Sequence, residues 1–449
     1  MCTSPILIRN RKFRAINVKL PNSFIKVPCG VCDECLRKRA KDLYVRARFE
    51  SVKCIRDGGV GFMCTLTYDD NLLPILTYKG KEYMVFNKKH VIDFIKRLRT
   101  HLTRFYKKNY DSAAPEFKYL ITSEYGTDPT RTHRPHYHCL FLFRKDISLY
   151  AFRNCFEQSL VNQSNGKRYF GYIYQCDKLD IKRGGVRYVS KYILKDLMYE
   201  GQRNIIRNLI KYEEDKLYQI FRLVEFPSSY DDFFTNKCIR SCKEYKKYVT
   251  EHIAPLRHML QFYMVSNDFG CSAIVEEYGD SLPTLGCLSI DKFPYAIPKS
   301  LVLFCERKFG TGYREQLSKS VFMSHFKSAS DYCVCKRYMS CEQADFLYEF
   351  CNRFIVSRYG ALYFTSLDGK DFYERVFEFN PHITDDLLCD FHIYEANDFY
   401  ELRNVVLSVI DIYNCKEMLD FRAKLAHKRS MQEIPRTDKR TFQKEYHYI

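Results

Sequence analysis

Several features that mark other classes of protein are missing from this sequence. It contains no tryptophan, no internal repeat and no run of about 18 consecutive apolar residues, the length that a membrane-spanning helix needs. The start of the chain lacks the apolar segment of a signal peptide. No Gly-Lys-Ser or Gly-Lys-Thr of a phosphate-binding loop occurs, which argues against an attached P-loop helicase. These absences predict a cytosolic protein that does not enter a membrane, with its 20 cysteines reduced or bound to metal.

Positive charge is concentrated in one part of the chain. Residues 1–200 contain 38 Lys and Arg against 19 Asp and Glu, whereas residues 201–449 contain 34 against 35. The whole net charge of +18 therefore comes from the first part of the chain. This asymmetry predicts a polyanion-binding domain followed by a neutral one, the alternative being a basic surface that is merely solvated.

The pattern of apolar residues predicts an α+β protein. Residues 1–57 combine a cysteine cluster with a basic helix at 36–49. Residues 58–200 follow the order β-α-β-β-α-β and then helix, which is typical of a ferredoxin-like antiparallel sheet. The strands are expected at 60–68, 117–125, 134–143 and 169–175, and the helices at 88–108, 148–160 and 186–199.

The rest of the chain is predicted to be largely helical. Residues 201–427 form a C-terminal region of unknown role, and residues 428–449 a charged, flexible tail. The expected helices lie around 208–222, 236–264, 340–358 and 398–426.

Two histidines separated by one residue form the first candidate site. On a strand, positions i and i+2 point to one face about 6.6–7 Å apart, so His136 and His138 could share a divalent cation while Tyr137 faces the other way. Pairing of the two strands as a hairpin would bring Glu124 close and leave metal positions open for substrate. Alone, a His-x-His pair is weak and usually structural.

Two tyrosines one helical turn apart form the second candidate. Tyr188 and Tyr192 would share one face of a helix, beside Lys191 and Lys195. A phenol near a metal-bound phosphate can attack phosphorus if the metal or a lysine such as Lys191 helps to remove its proton. Among 36 tyrosines about three such pairs are expected by chance, so the pair counts only together with the metal residues.

Three cysteines at spacings of three form the third candidate. Cys29, Cys32 and Cys35, with Cys2 as a fourth thiolate, suit a structural Zn²⁺ site. An iron–sulfur cluster and unliganded thiols are the alternatives.

Basic side chains on the expected helices 36–49 and 88–108 are candidates for contacts with DNA. The two helices would line one electrostatic groove, and the plentiful Phe and Tyr would stack on single-stranded bases. The candidate DNA-binding residues are Arg37, Lys38, Arg39, Lys96, Arg97, Arg99, Arg134 and Lys195.

These motifs occur in the same order in a known family. The chain resembles the rolling-circle replication initiators of small single-stranded DNA phages, the Microviridae, in particular the gokushovirus-like group. The resemblance is good over residues 1–200, weak over 201–272 and absent beyond. The matching blocks are 27–35, 62–70, 94–99, 124–126, 134–138 and 188–192, with 266–270 as a faint later block.

The resemblance implies an HUH endonuclease domain, named for its histidine, hydrophobic, histidine motif. His136, His138 and Glu124 would bind Mg²⁺ or Mn²⁺, and Tyr188 and Tyr192 would be the paired nucleophiles. It further implies single-stranded DNA and a replication origin as substrates, a host DNA polymerase and helicase as partners, and the cytoplasm of a bacterial host. The chain departs from the family pattern in its long neutral C-terminal half and in lacking a late Arg-Pro-Gly.

Two other functions fit the same residues. A conjugative relaxase or an HUH transposase shares the histidine motif, but the N-terminal cysteine cluster favours the phage initiator. A non-catalytic, zinc-containing nucleic-acid-binding regulator would use a ferredoxin-like sheet for binding. That regulator would not need the glutamate, histidines and tyrosines to cluster, so separations above about 10 Å would favour it.

Overall fold

The computed structural model describes part of the chain. Its described residues form helices and antiparallel strands, which confirms the α+β class. They divide into a sheet unit, drawn from 6–27 and 36–277, and a helical unit, drawn from 28–35 and 278–449. The described residues are 6–9, 24–29, 33–125, 134–162, 165–171, 176–181, 186, 200–223, 230–354, 391 and 396–433.

Strands and helices alternate through the sheet unit. Its strands are β1 (Ile6–Arg9), β2 (Phe24–Val27), β3 (Val60–Thr67), β4 (Ile75–Tyr78), β5 (Lys81–Met84), β6 (Phe117–Tyr125), β7 (Pro135–Phe143), β8 (Cys176–Lys178) and β9 (Tyr263–Val265). Its helices are α1 (Asp33–Arg56), α2 (Lys88–Tyr110), α3 (Leu149–Leu160), α4 (Glu200–Ile220), α5 (Tyr230–Ser241), α6 (Lys243–Tyr248), α7 (Ala254–Met259) and α8 (Cys271–Tyr278). The helical unit contains β10 (Cys287–Ile290), β11 (Phe293–Ala296), α9 (Lys299–Phe309), α10 (Thr311–Cys335), α11 (Cys341–Phe354) and α12 (Ala396–Glu433).

Five strands form the central sheet in the order β8-β3-β7-β6-β9, with every neighbouring pair antiparallel. β3 and β6 are therefore parallel, with β7 between them and α2 in their connection, which is the split βαβ arrangement expected from the sequence. The sequence pattern predicts neither the edge strand β9 nor the β4–β5 hairpin.

One face of the sheet packs against α2 and α3. Alternate side chains of β3 and β7 reach this face, because successive strand residues point to opposite sides. The rings of Phe62 and Phe152 stack there at 4.4 Å. Asn87 caps α2 by accepting a hydrogen bond from the Lys89 amide. The buried stripe of α2 is the one that its periodicity predicts, namely Val91, Phe94, Ile95, Leu98 and Leu102.

Helix α1 lies on the other face of the sheet. Its Glu50 accepts a hydrogen bond from Nζ of Lys118 at 2.9 Å. Lys118 stands between Phe117 and Tyr119 on β6, whose rings pack toward the α2 face. The expected groove lined by both basic helices is therefore wrong, because the sheet separates them.

Beyond residue 200 the helices match the expected pattern only in part. The single helix expected at 236–264 is wrong: that stretch comprises α5, α6, a π-helical turn at Val249–Ile253 and α7, and ends in β9. Pro255 lies at the start of α7, where its missing N–H costs no intrahelical bond. No helix among the described residues combines the length and apolar character needed to cross a membrane.

Candidate metal centre

Strands β6 and β7 bring one glutamate and two histidines together. Glu124 is directly opposite His136 in the strand register, and His138 follows two residues later on the same face. One potential ligand atom from each residue lies within 4.8 Å of the others. Nε2 of His138 is 2.6 Å, and Nε2 of His136 is 3.3 Å, from Oε2 of Glu124. The hairpin thus assembles the His, His, carboxylate set that the sequence predicts.

The cluster is buried on one side and accessible on the other. Glu124 is 2% exposed and His138 7%, whereas 20% of the His136 side chain is exposed. A buried carboxylate attracts a cation more strongly than an exposed one, because less water screens its charge. The His136 side of the cluster is therefore the route by which an ion or a phosphate oxygen would approach.

A main-chain contact sets the protonation of His136. Its Nδ1 lies 3.2 Å from the carbonyl oxygen of Arg134, and a carbonyl only accepts, so Nδ1 carries the proton. The lone pair is then on Nε2, on the side of Glu124, which is the form that binds a metal.

The side chain of Arg134 holds the start of β7 in place. Its Nη2 donates to the carbonyl oxygen of Tyr68 at 2.5 Å, and its Nη1 pairs with the carboxylate of Asp70. Arg134 is a candidate DNA-binding residue by sequence, but here its guanidinium binds the segment that follows β3. The carbonyl group that orients His136 belongs to the same residue.

Tyr137 faces the opposite side of the sheet from the two histidines, as the alternation predicts. Its hydroxyl group lies 2.8 Å from that of Tyr68. Burial raises the pKa of both phenols, that of Tyr137 well above its usual value. These two tyrosines therefore stay protonated and are poor nucleophiles.

The donor set suits a divalent cation. One carboxylate and two imidazoles occupy part of a coordination sphere and leave positions for water and substrate. Carboxylates suit Mg²⁺ and Mn²⁺, and imidazoles also suit Zn²⁺, so the ligands fit several metals. Sequence analysis missed two polar neighbours, Thr65 and Thr67, which lie opposite His138 and His136 on β3. The alternation of threonines along 60–68 was the available signal.

Several predicted site residues lie outside the described part of the chain. Cys29 and Cys35 are described and half-buried. The nucleophiles and the zinc site therefore stay predictions. The residues outside the description are Tyr188, Lys191, Tyr192, Lys195, Cys2 and Cys32.

The candidate DNA-binding residues of α1 differ in exposure. Arg37 is buried, at 8% exposed, whereas Lys38 is exposed. The guanidinium of half-buried Arg39 lies 5.6 Å from the ring centre of Tyr263 in β9. On this helix Lys38 is the candidate most open to a phosphate.

The candidates on α2 divide in the same way. Lys96 and Arg99 are exposed. Half-buried Arg97 donates from Nε to the carbonyl oxygen of Ser159 at 2.8 Å, which attaches α2 to α3. Arg97 therefore supports the fold, while Lys96 and Arg99 are available to a ligand.

The faint block 266–270 anchors α1 to the sheet. Nε of Arg46 donates to the carbonyl oxygen of Phe269 at 2.8 Å, and the Gly270 amide donates to Glu50 at 2.7 Å. Gly270 has φ +76°, and a Cβ atom there would lie 2.4 Å from the Arg46 carbonyl oxygen. Only glycine fits this position, so the block is structural.

Comparison with known proteins places this site in a replication family's matched region. The family model for the replication-associated protein ORF2 matches residues 61–197, which include all three cluster residues. Replication-associated protein ORF4 of Chlamydia phage 1 is 28% identical over 186 residues, covering 38% of this chain and 38% of that protein. No solved structure matches the chain. The resemblance to gokushovirus-like replication initiators is confirmed by these matches.

Proposed function

Starting from this resemblance, we propose that the protein is a replication initiator that nicks and rejoins phage DNA as an HUH endonuclease. The observation that carries the proposal is the buried cluster of Glu124, His136 and His138 inside the matched residues 61–197. The positive charge of residues 1–200 suits a DNA substrate. A non-catalytic regulator would not need this cluster, and the phage relative gives no support to a relaxase or transposase.

Glu124, His136 and His138 would hold a divalent cation, Mg²⁺ or Mn²⁺. When bound, the ion would polarise the scissile phosphate as a Lewis acid. Glu124 would supply the negative charge of the site. The Arg134 carbonyl would keep the proton of His136 on Nδ1, so that Nε2 stays available as a ligand.

Tyr188 or Tyr192 would attack the scissile phosphorus. The new bond joins the phenol oxygen to phosphorus while the bond to the 3′ oxygen breaks, leaving a 5′-phosphotyrosine and a free 3′-OH. The phenol has an ordinary pKa near 10, so we assign help in removing its proton to Lys191.

A second tyrosine serves to complete the cycle. A host polymerase would extend the 3′-OH behind a host helicase, in the bacterial cytoplasm. The second tyrosine would then cut the regenerated origin, and the 3′-OH released by that cut would displace the first tyrosine and close a circle.

The proposal is tested by cleavage of end-labelled single-stranded origin DNA with Mn²⁺ or Mg²⁺, followed by denaturing electrophoresis. We expect a protein-linked band that disappears with EDTA and in the double variant Tyr188→Phe, Tyr192→Phe. The matched control is Tyr212→Phe, Tyr338→Phe, at two exposed tyrosines. DNA that is bound but never cut or linked, with metal and origin present, would exclude the nuclease.

A further inference from the structure

The outward face of α2 is strongly cationic. The helix carries eight Lys and Arg residues and one acidic residue, Asp93. Lys89, Lys96 and Lys107 are spaced by two and three helical turns, so they lie along one line of about 27 Å at 1.5 Å per residue. The exposed cationic residues cover half of the helix circumference and are Lys89, Lys96, Arg99, Arg104, Lys107 and Lys108.

Neighbouring side chains leave this charge uncompensated. The one acidic residue of the helix, Asp93, is 3.9 Å from Lys96, and such a solvent-exposed pair is weak. The guanidinium of Arg99 lies 5.5 Å from the ring centre of Phe117 and 5.9 Å from that of Tyr119. The rings orient the cation and bring no opposite charge.

The metal cluster is on the other side of the sheet. The inner stripe of α2, which includes Phe94 and Leu98, packs on the face that Tyr137 reaches. His136 and His138 point to the opposite face, because they alternate with Tyr137 along β7. A phosphate held by the outward face of α2 is therefore a different phosphate from the one at the cluster.

We propose that the outward face of α2 is a second DNA-binding surface, which holds duplex DNA beside the origin through its phosphates. The choice of DNA as the polyanion rests on the proposed function. Duplex DNA presents one negative charge per about 1.7 Å of its axis, a density that matches a line of cations. The surface binds this backbone while single-stranded DNA occupies the metal cluster.

The residue types of this face favour a duplex over a single strand. Proteins that hold single strands stack bases on aromatic side chains. Between Lys89 and Lys108 the exposed residues are cationic or small and polar, such as Thr100 and Thr103. The aromatic residues of that stretch, Phe94, Phe105 and Tyr106, pack toward the core.

The test compares two charge-neutralising variants of the full-length protein. One carries Lys89→Gln, Lys96→Gln, Arg104→Gln and Lys107→Gln on α2. The control carries Lys299→Gln, Lys308→Gln, Lys327→Gln and Lys336→Gln at exposed lysines of the helical unit, so that net charge is matched. Fluorescence anisotropy in EDTA measures the affinity for a labelled origin-flanking duplex and for a labelled single strand at several salt concentrations.

We expect the α2 variant to lose at least about tenfold in duplex affinity, and the slope of log K against log salt to fall by about 3 to 4. The control variant and single-strand binding should change by less than about threefold. Equal duplex binding by the two variants would overturn the proposal, and equal losses for duplex and single strand would overturn the assignment to duplex. Because EDTA prevents cleavage, a failure of the nicking proposal leaves this result unaffected, and the converse also holds.

Discussion

Nε2 of His138 and Oε2 of Glu124 lie 2.6 Å apart, although the two residues are separated by 14 positions in the chain. The register of β6 with β7 produces this contact, since Glu124 is directly opposite His136 and the backbone hydrogen bonds of a central strand fix both partners. Ligands on paired strands are held more rigidly than ligands on loops. The site is therefore organised before a metal arrives.

The cluster predicts where metal affinity resides. Glu124→Gln keeps the size of the side chain but removes its charge, and we expect the affinity for Mn²⁺, measured by titration calorimetry, to fall by at least about tenfold. Glu116→Gln is the matched control, because Glu116 is exposed at 79% and lies just before the same strand. Unchanged affinity in Glu124→Gln would place the metal elsewhere in the chain.

Arg134 is expected to act on the metal site through His136. Arg134→Ala removes the contacts to Tyr68 and Asp70 that hold the start of β7, so the carbonyl that orients His136 loses its support. Loss of such outer support typically weakens metal binding about 10- to 100-fold. The control is Arg144→Ala, just after the other end of β7, where Arg144 is exposed and 3.5 Å from Glu116. Equal Mn²⁺ affinity in the two variants would show that Arg134 does not position the ligand.

The strands of the site were predictable because their signal is local. The segments 117–125 and 134–143 are rich in apolar and β-branched residues and flank a run of turn formers, and they match β6 and β7. The i and i+2 spacing of His136 and His138 then places both on one face. The sequence does not show how deeply each is buried, which depends on α1 and its partners.

Features that depend on long-range packing escaped prediction. The three residues of β9 lie between helices and pair with Thr122 and its neighbours far earlier in the chain, so no local pattern marks them. Periodicity places charged residues such as Arg37 and Arg97 on the outside of a helix, but neighbouring elements cover both. Which face of the sheet a helix occupies is likewise absent from its own sequence, and for this reason the expected groove was wrong.

Glu50 is expected to be the main ionic support of α1. Its side chain is 9% exposed and accepts from Lys118 and from the Gly270 amide, so Glu50→Ala leaves a buried cation and a buried N–H without their partner. Breaking a buried pair in this way costs about 3–5 kcal/mol. Urea unfolding followed by circular dichroism measures the loss.

The control for Glu50 lies at the other end of the same helix. Glu276→Ala removes a partner of Lys53, but the Glu276 side chain is 51% exposed. We therefore expect a loss of at most about 1 kcal/mol. Equal losses in the two variants would contradict the assignment of α1 docking to Glu50.

His90 is expected to make stability depend on pH. Its ring stacks on Tyr169 with the centres 4.0 Å apart, and burial lowers its pKa to about 4. An unfolded histidine titrates near 6.5, so between about pH 6.5 and pH 4 the unfolded chain binds a proton that the native His90 does not bind. Unfolding is therefore favoured as pH falls through this window, and the contribution of neutral His90 is complete only above it.

His90→Phe should reduce this acid sensitivity, since phenylalanine keeps the ring stack but does not titrate. In EDTA, the difference between the melting temperatures at pH 7 and pH 5 should be smaller in His90→Phe than in the unmodified protein. His252→Phe is the matched control, because His252 also packs on a tyrosine, Tyr248 at 4.4 Å, but is exposed. That variant should keep the original difference. If His90→Phe keeps it as well, the acid sensitivity arises from other groups, and the burial of His90 has no measurable consequence for stability.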